Sequence, residues 1–186
     1  MKAKVGINGL GRIGRMVLRS IFEENHKNLK INHINNRSDI KIACELIKRD
    51  SVHGKFKGKV YIKNNKLIVN GNKISYSQET NIRDIFWKKH NVDIVLECTG
   101  KFNSRDKLIQ HIKNGAKKVI VSAPCKNADK TVVYGVNHKN ISDRDRIISA
   151  ASCTTNCLAP VVNVLNDNFG IDKGFMTTIH SITTDQ

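Results

Sequence analysis

The sequence predicts an α/β protein: a doubly wound, mostly parallel sheet, followed by one helix and one strand of a second unit. Three observations predict it. Short apolar runs alternate with stretches of helical periodicity. A glycine-rich turn joins the first apolar run to the first helical stretch. The pattern then changes after Ser152, where one long helical stretch is followed by a threonine-rich extended one.

Lys4 to Asn8 is an apolar run that stops at Gly9 and reads as a buried strand. Arg12 to Glu24 follows, with Ile13, Met16, Val17 and Ile21 on one helical stripe. Leu29 to Asn35 reads as the next strand, so strand, tight turn, helix and strand open a parallel sheet. Ile40 to Lys48 has helical spacing. Val60-Tyr61-Ile62, Leu67-Ile68-Val69 and Ile74-Ser75-Tyr76 are separated by Asn- and Gly-containing turns and read as a meander. Asp93 to Cys98 is a further strand, closing at Thr99-Gly100. Ser104 is placed to cap a helix that runs to Asn114 and ends at Gly115. Val119 to Val121, Thr131 to Val136 and Arg146 to Ala150 read as strands. Cys153 to Phe169 is apolar at helical spacing through Leu158, Val161, Val162 and Leu165, with Gly170 as its stop; Phe175 to Thr183 reads as a strand.

Composition narrows the function classes. The chain of 186 residues carries 32 Lys+Arg against 16 Asp+Glu, a formal charge of +16. That balance suits nucleic acid, an anionic membrane surface or phosphorylated small molecules. The basic residues are scattered and aromatic residues are only 5%, so the stacking platforms of a single-strand binder are thin and a solvated lysine-rich surface is the ordinary reading. Five cysteines, Cys44, Cys98, Cys125, Cys153 and Cys157, are odd in number and irregular in spacing, which argues against a secreted disulfide framework. No apolar leader opens the chain and no window approaches 18 apolar residues. The expectation is a reduced, cytoplasmic, soluble protein with no metal site.

Gly9-Leu10-Gly11-Arg12-Ile13-Gly14 matches G-x-G-x-x-G between a strand and a helix, the context a dinucleotide site requires. The first glycine permits the turn, the second lets a pyrophosphate approach the backbone, and the third lets helix and strand pack closely. The helix N-terminus offers N–H groups to the phosphates. An acidic residue expected at the end of the second strand is replaced by Asn35-Asn36-Arg37-Ser38. Asn36 would not repel a 2′-phosphate, and Arg37 and Ser38 are of the types that hold one. Both NAD and NADP therefore stand as cofactors, with Asn36 bonding the NAD ribose as the alternative to phosphate binding.

Ala151-Ser152-Cys153-Thr154-Thr155-Asn156-Cys157 puts one cysteine where a strand ends and a helix begins. Unpaired N–H groups there favour thiolate, the nucleophilic form, at Cys153. Ser152, Thr154 and Thr155 add hydroxyls suited to an anion. His180 follows 27 residues later, on the expected strand, where it can serve Cys153 as a base. Cys157 reads as structural, as do Cys44, Cys98 and Cys125. His26, His33, His53, His90, His111 and His138 have no comparable setting in the sequence.

These residues carry a resemblance. VGINGLGRIGR, RDSVHGKF, ECTGKF, VSAP, VYGVNH, SCTTNCLAP and HSITTDQ, in that order from residue 5 to residue 186, resemble the N-terminal part of phosphorylating glyceraldehyde-3-phosphate dehydrogenases. The resemblance implies a Rossmann-type domain over residues 1–152 and the start of an α+β catalytic domain over 153–186. It implies attack of Cys153 on an aldehyde, His180 as base, hydride transfer to nicotinamide, and cleavage of the thioester by inorganic phosphate. Ser152 and Thr154 would hold that phosphate, and Thr183 the phosphate of glyceraldehyde 3-phosphate. Asn8, Gly9, Gly11, Arg12 and Ile13 would line the pyrophosphate, with Gly14 behind them; Thr99, Gly100, Phe102 and Ser122 would follow the adenine and ribose. A homotetramer is implied for the longer protein. Asn36 stands where relatives carry aspartate, Thr80 where they carry arginine, and Ile182 and Thr184 depart beside the histidine. A related activity on erythrose 4-phosphate uses a similar site and is the alternative substrate reading; a chain that binds nucleotide without turnover is the other.

Overall fold

The computed structural model describes residues 2–181. Eleven strands and four helices follow in chain order: β1 (Ala3–Asn8), α1 (Arg12–Glu23), β2 (Leu29–Asn35), α2 (Ile40–Lys48), β3 (Arg49–Asp50), β4 (Gly54–Lys55), β5 (Val60–Lys63), β6 (Lys66–Val69), β7 (Asn72–Ser77), β8 (Ile94–Glu97), α3 (Arg105–Lys113), β9 (Lys118–Val121), β10 (Lys130–Thr131), β11 (Ile147–Ser149) and α4 (Cys153–Phe169). Nine strands form one sheet in the order β10-β11-β9-β8-β1-β2-β7-β6-β5. It is parallel from β10 to β7, and the β5-β6-β7 meander adds antiparallel pairs at one edge. The chain leaves β1 through β2 in one direction and returns to its other side at β8. That reversal opens a crevice at the carboxyl ends of β1 and β8, where open α/β sheets bind ligands.

Register brings the functional loops to one edge. Asn8 pairs with Asn35 on one side and with Glu97 on the other; Glu97 pairs with Val121, and Val121 with Ser149. The loops that follow these five residues therefore leave the same rim of the sheet.

Alternation of side chains fills both faces. Val5, Ile7, Leu18, Ile31, Ile34 and Ile47 pack together with α1 and α2 on one face. Trp87, Val95, Leu108, Val119 and Ile147 pack with α3 on the other. Gly6 points to that second face, where a Cβ would stand 2.6 Å from the Trp87 ring, so the indole occupies the space of a missing side chain. The buried stripe of α1 is Gly14, Leu18 and Ile21; Ile13, expected on the stripe, is half exposed.

Three expectations change. The strand read over Thr131 to Val136 is confined to Lys130–Thr131, because Gly135 at φ +89 and the Asn137 side chain, which accepts from Val133 N at 2.8 Å, turn the chain. Ser104 sits at the N-cap of α3, but its hydroxyl makes no capping bond. The extended segment from Phe175 pairs with no strand among the described residues; Phe175 and Ile179 stand in full exposure, and strand hydrogen bonds need a neighbour that this segment lacks there. α4 likewise buries none of its residues. Among the described residues no helix is long and apolar enough to cross a membrane.

The glycine turn yields a paired stability test. A Cβ on Gly14 would meet the Gly9 carbonyl oxygen at 1.9 Å, whereas one on Gly11 meets nothing within 4 Å. Gly14→Ala is expected to cost about 2–3 kcal/mol in urea denaturation, by overpacking against backbone. Gly11→Ala is expected to cost less than about 1 kcal/mol, the difference between Gly and Ala at an N-cap.

Candidate active site

The crevice between β1 and β8 is a cleft lined by Asn8, Gly9, Gly11, Asn36, Arg37, Thr99 and Phe102, all expected from the sequence. Gly9 adopts φ +92, and a Cβ there would touch Thr99, so the glycine loop rests directly on the turn after β8. Gly11 is the N-cap of α1; no side chain caps the helix, and its first turn holds no acidic residue. The first-turn N–H groups thus face open space, the fit a pyrophosphate needs. Arg12 and Ile13 are exposed on that first turn, and Gly14 is buried behind it. Gly100 is exposed at φ +71 in the turn after β8. Ser122 lies outside the cleft lining. Its N–H donates to the Glu97 carbonyl at 3.0 Å, and its hydroxyl faces Cys98.

Asn36 is engaged differently from the expectation. Its Oδ1 accepts from Leu10 N at 3.0 Å, and its Nδ2 donates to Ser38 Oγ at 2.5 Å and to Tyr76 Oη at 3.1 Å. The amide braces the glycine loop from within the cleft lining. Tyr76, too far away in sequence to be linked to the loop, donates in turn to the Ser38 carbonyl at 2.7 Å. Sequence reasoning also missed Asn35, Glu79, Ile82, Ile85 and Lys101 in the lining. The first four lie on loops and strand ends that only the tertiary fold brings to β1.

At the same rim, α4 begins at Cys153. Cys153 Sγ lies 3.1 Å from His180 Nε2. His180 Nδ1 stands 2.6 Å from the Ser181 carbonyl, which can only accept, so Nδ1 carries the proton and Nε2 presents its lone pair to the sulfur. The hydrogen bond with His180 pulls the Cys153 thiol below its ordinary range, helped by the N–H and hydroxyl of Thr154; the same contact raises His180. Burial pushes Cys98 up to about 12 and also raises Cys44 and Cys125. Cys157, read as structural, is exposed one turn along α4 and lines a groove with Leu158, Val161 and Met176 beside the pair.

The backbone around Cys153 is braced from residues the sequence did not single out. Ala151 is held at φ +61, in the left-handed region that L-residues adopt at a cost. Asn156 Nδ2 donates to the Ala150 carbonyl at 2.7 Å and to the Ser152 carbonyl at 2.8 Å, tying α4 back across the turn. Ser152, expected to bind phosphate, caps α4: its Oγ accepts from Thr155 N at 3.0 Å. Thr183 lies outside the described residues, as do Ile182 and Thr184.

A dinucleotide fold carrying a cysteine–histidine pair at the end of its sheet is the class these features define. The family profile described as "Glyceraldehyde 3-phosphate dehydrogenase, NAD binding domain" matches residues 3–105, and the family's C-terminal domain profile matches residues 152–186. A glyceraldehyde-3-phosphate dehydrogenase of Xanthobacter flavus is 50% identical over 186 residues, covering 100% of this chain and 56% of the relative. One from Clostridium acetobutylicum is 47% identical over 184 residues, covering 99% and 54%. Glyceraldehyde-3-phosphate dehydrogenase 2 of Bacillus subtilis is 48% identical over 187 residues, covering 100% and 54%. The chain belongs to the glyceraldehyde 3-phosphate dehydrogenase family, and it spans about half the length of the curated relatives it matches.

The thiol pair predicts an alkylation profile. Iodoacetamide is expected to modify Cys153 before Cys44, Cys98 and Cys125. Because the Cys153 pKa is lowered, its rate is expected to fall off at a lower pH than that of an ordinary thiol. His180→Asn is expected to slow the reaction at pH 7 about tenfold and to move the profile upward in pH, read by peptide mass spectrometry. A profile unchanged by His180→Asn would contradict the pairing.

Proposed function

We propose that this chain carries the nucleotide-binding half and the reacting cysteine of a phosphorylating glyceraldehyde-3-phosphate dehydrogenase, with the two units dividing at residues 152/153. The observation that carries the reading is the 3.1 Å contact of Cys153 with His180 at the rim where the dinucleotide cleft opens. Cys153 attacks the aldehyde carbon, and His180 Nε2 takes the thiol proton and returns it to the carbonyl oxygen, giving a thiohemiacetal on the sulfur; loss of a hydride from that carbon, with His180 taking the hydroxyl proton, would leave a thioester. Asn8, Gly9, Gly11, Thr99 and Phe102, with the first turn of α1, would hold NAD, which supplies the hydride acceptor when bound. The Thr154 N–H and hydroxyl, already turned toward Sγ, stabilise charge at the sulfur. Ser152 and Thr154 stand at the helix end where inorganic phosphate attacks the thioester. In the longer protein, the homotetramer of the resemblance and glycolytic flux through glyceraldehyde 3-phosphate are part of the proposal. The odd, irregularly spaced cysteines support a reduced cytoplasmic setting.

NADP is proposed as a second acceptable cofactor. No carboxylate follows directly on β2, and Arg37 lines the cleft and has no ion-pair partner among the described residues. Glu79 on the same lining limits the preference. Calorimetric titration of the chain is expected to give dissociation constants for NAD and NADP within about tenfold of each other; an NAD preference beyond about a thousandfold would end the NADP reading.

By themselves the 186 residues are proposed to bind nucleotide without turnover. The Cys153–His180 pair lies open to water, with Cys153 on a helix that has no buried residue, whereas hydride transfer needs a water-excluded site. Glyceraldehyde 3-phosphate is expected to protect Cys153 from iodoacetamide by forming the thiohemiacetal, with no NADH produced. Stronger protection by erythrose 4-phosphate would move the substrate reading to that aldehyde.

A further inference from the structure

Glu97 ends β8 directly beneath the cleft, and its carboxylate is 1% exposed. Four donors converge on it. Asn8 Nδ2 donates to Oε2 at 2.6 Å, and the Thr99 N–H and hydroxyl donate to Oε1 at 2.8 and 2.5 Å. The fourth is His111, whose Nε2 lies 2.9 Å from Oε2. The tautomer of His111 is settled by its other neighbour. Trp87 Nε1, which can only donate, lies 2.8 Å from His111 Nδ1. Nδ1 is therefore the acceptor, and the ring proton sits on Nε2, aimed at Glu97.

The chain of contacts continues into the cleft. Asn8 Oδ1 accepts from Asn35 Nδ2 at 2.9 Å, and Asn35 Oδ1 accepts from Ser77 Oγ at 2.8 Å and from Glu79 N at 2.9 Å. Asn8, Asn35, Glu79 and Thr99 all line the cleft. Thr99 also supports the glycine loop, since its Cγ2 and N lie 2.9 and 3.0 Å from where a Cβ on Gly9 would stand. Glu97, an acceptor on both oxygens, sets the order of the Asn8 amide, while the Glu79 N–H also fixes that of Asn35. An NH₂ group in place of either oxygen would face a donor: Thr99 N–H on one side, Asn8 and His111 on the other. Turning the Asn8 amide over would relieve the clash only by opposing it to Asn35.

We propose that Glu97 is a positioning residue for dinucleotide binding: anchored by His111, which Trp87 holds in the Nε2–H tautomer, it sets Asn8 and Thr99 beneath the glycine loop. The proposal rests on the dinucleotide reading of the cleft. Glu97 touches no ligand and acts through Asn8 and Thr99. It also makes Trp87, the single tryptophan of the chain, a sensor three hydrogen bonds from the cleft wall, through His111 and Glu97 to Asn8 and Thr99.

The test is calorimetric NAD titration of the unmutated 186-residue chain, of Glu97→Gln and of Glu45→Gln, a control on the exposed face of α2. Side-chain ¹⁵N spectra of histidine and tryptophan in the unmutated chain, with and without NAD, complete it. Glu97→Gln is expected to weaken NAD about tenfold while Glu45→Gln leaves it unchanged. His111 is expected as the Nε2–H tautomer, with its Nε2 and the Trp87 indole resonances moving as NAD saturates; a residue that served stability alone would show no such coupling. If the unmutated chain binds no NAD, the dinucleotide reading falls and this proposal with it. If it binds and Glu97→Gln stays within about twofold, the proposal alone is overturned. Should Glu97→Gln fail to fold, the spectra of the unmutated chain decide. An Nδ1–H tautomer, or resonances unmoved by NAD, overturns the proposal, and the expected pattern upholds it.

Discussion

Parallel pairing of β2, β1, β8, β9 and β11 places Asn35, Asn8, Glu97, Val121 and Ser149 in one row across the sheet. A parallel strand must be reached by a crossover, so every loop at its carboxyl end returns over the same rim. The glycine loop, the bracing Asn36, the Thr99 turn and the approach to Cys153 all leave from this row. Had the register of β8 slipped by one residue, Glu97 would turn to the opposite face and the polar contacts under the cleft would lose their centre. The polar residues at the row's end are buried at 1–3% exposure, and each has its hydrogen bonds met by its neighbours. That is the condition under which polar groups are tolerated inside a core.

The cysteines show how location makes reactivity. Cys44 and Cys98 sit among apolar side chains, where losing water disfavours the thiolate. Cys153 sits in water at a helix start, with the Thr154 N–H and His180 turned toward its sulfur, and its thiol is drawn down. The left-handed Ala151 and the double bond from Asn156 show that the backbone is bent to present that sulfur.

Much of this was legible along the chain because it is local. G-x-G-x-x-G announces its turn and helix through what glycine allows, and the strands of the parallel sheet other than the short β10 were visible as apolar runs. Cys153 was legible because a helix start is a local event, and His180 because one helix separates the two. The pairing of the segment from Phe175 was not, since extended propensity needs a neighbour to become a strand and none lies among the described residues. The bracing role of Asn36 was not legible for a related reason. Its partners Leu10, Ser38 and Tyr76 are assembled by three separate elements, and no spacing records that.

The sequence by itself determined the class of fold, the position of the glycine turn and which cysteine opens a helix, because each depends on residue type within a few positions. Only the tertiary structure decided what buried His111 and Glu97 are for. A histidine on a helix and a glutamate at a strand end read as ordinary until the sheet brings Trp87, His111, Glu97 and Asn8 within hydrogen-bond reach. The physical reason is that a buried donor or acceptor takes its meaning from the groups facing it, and these come from residues 8, 87, 97 and 111, which meet only when the core closes.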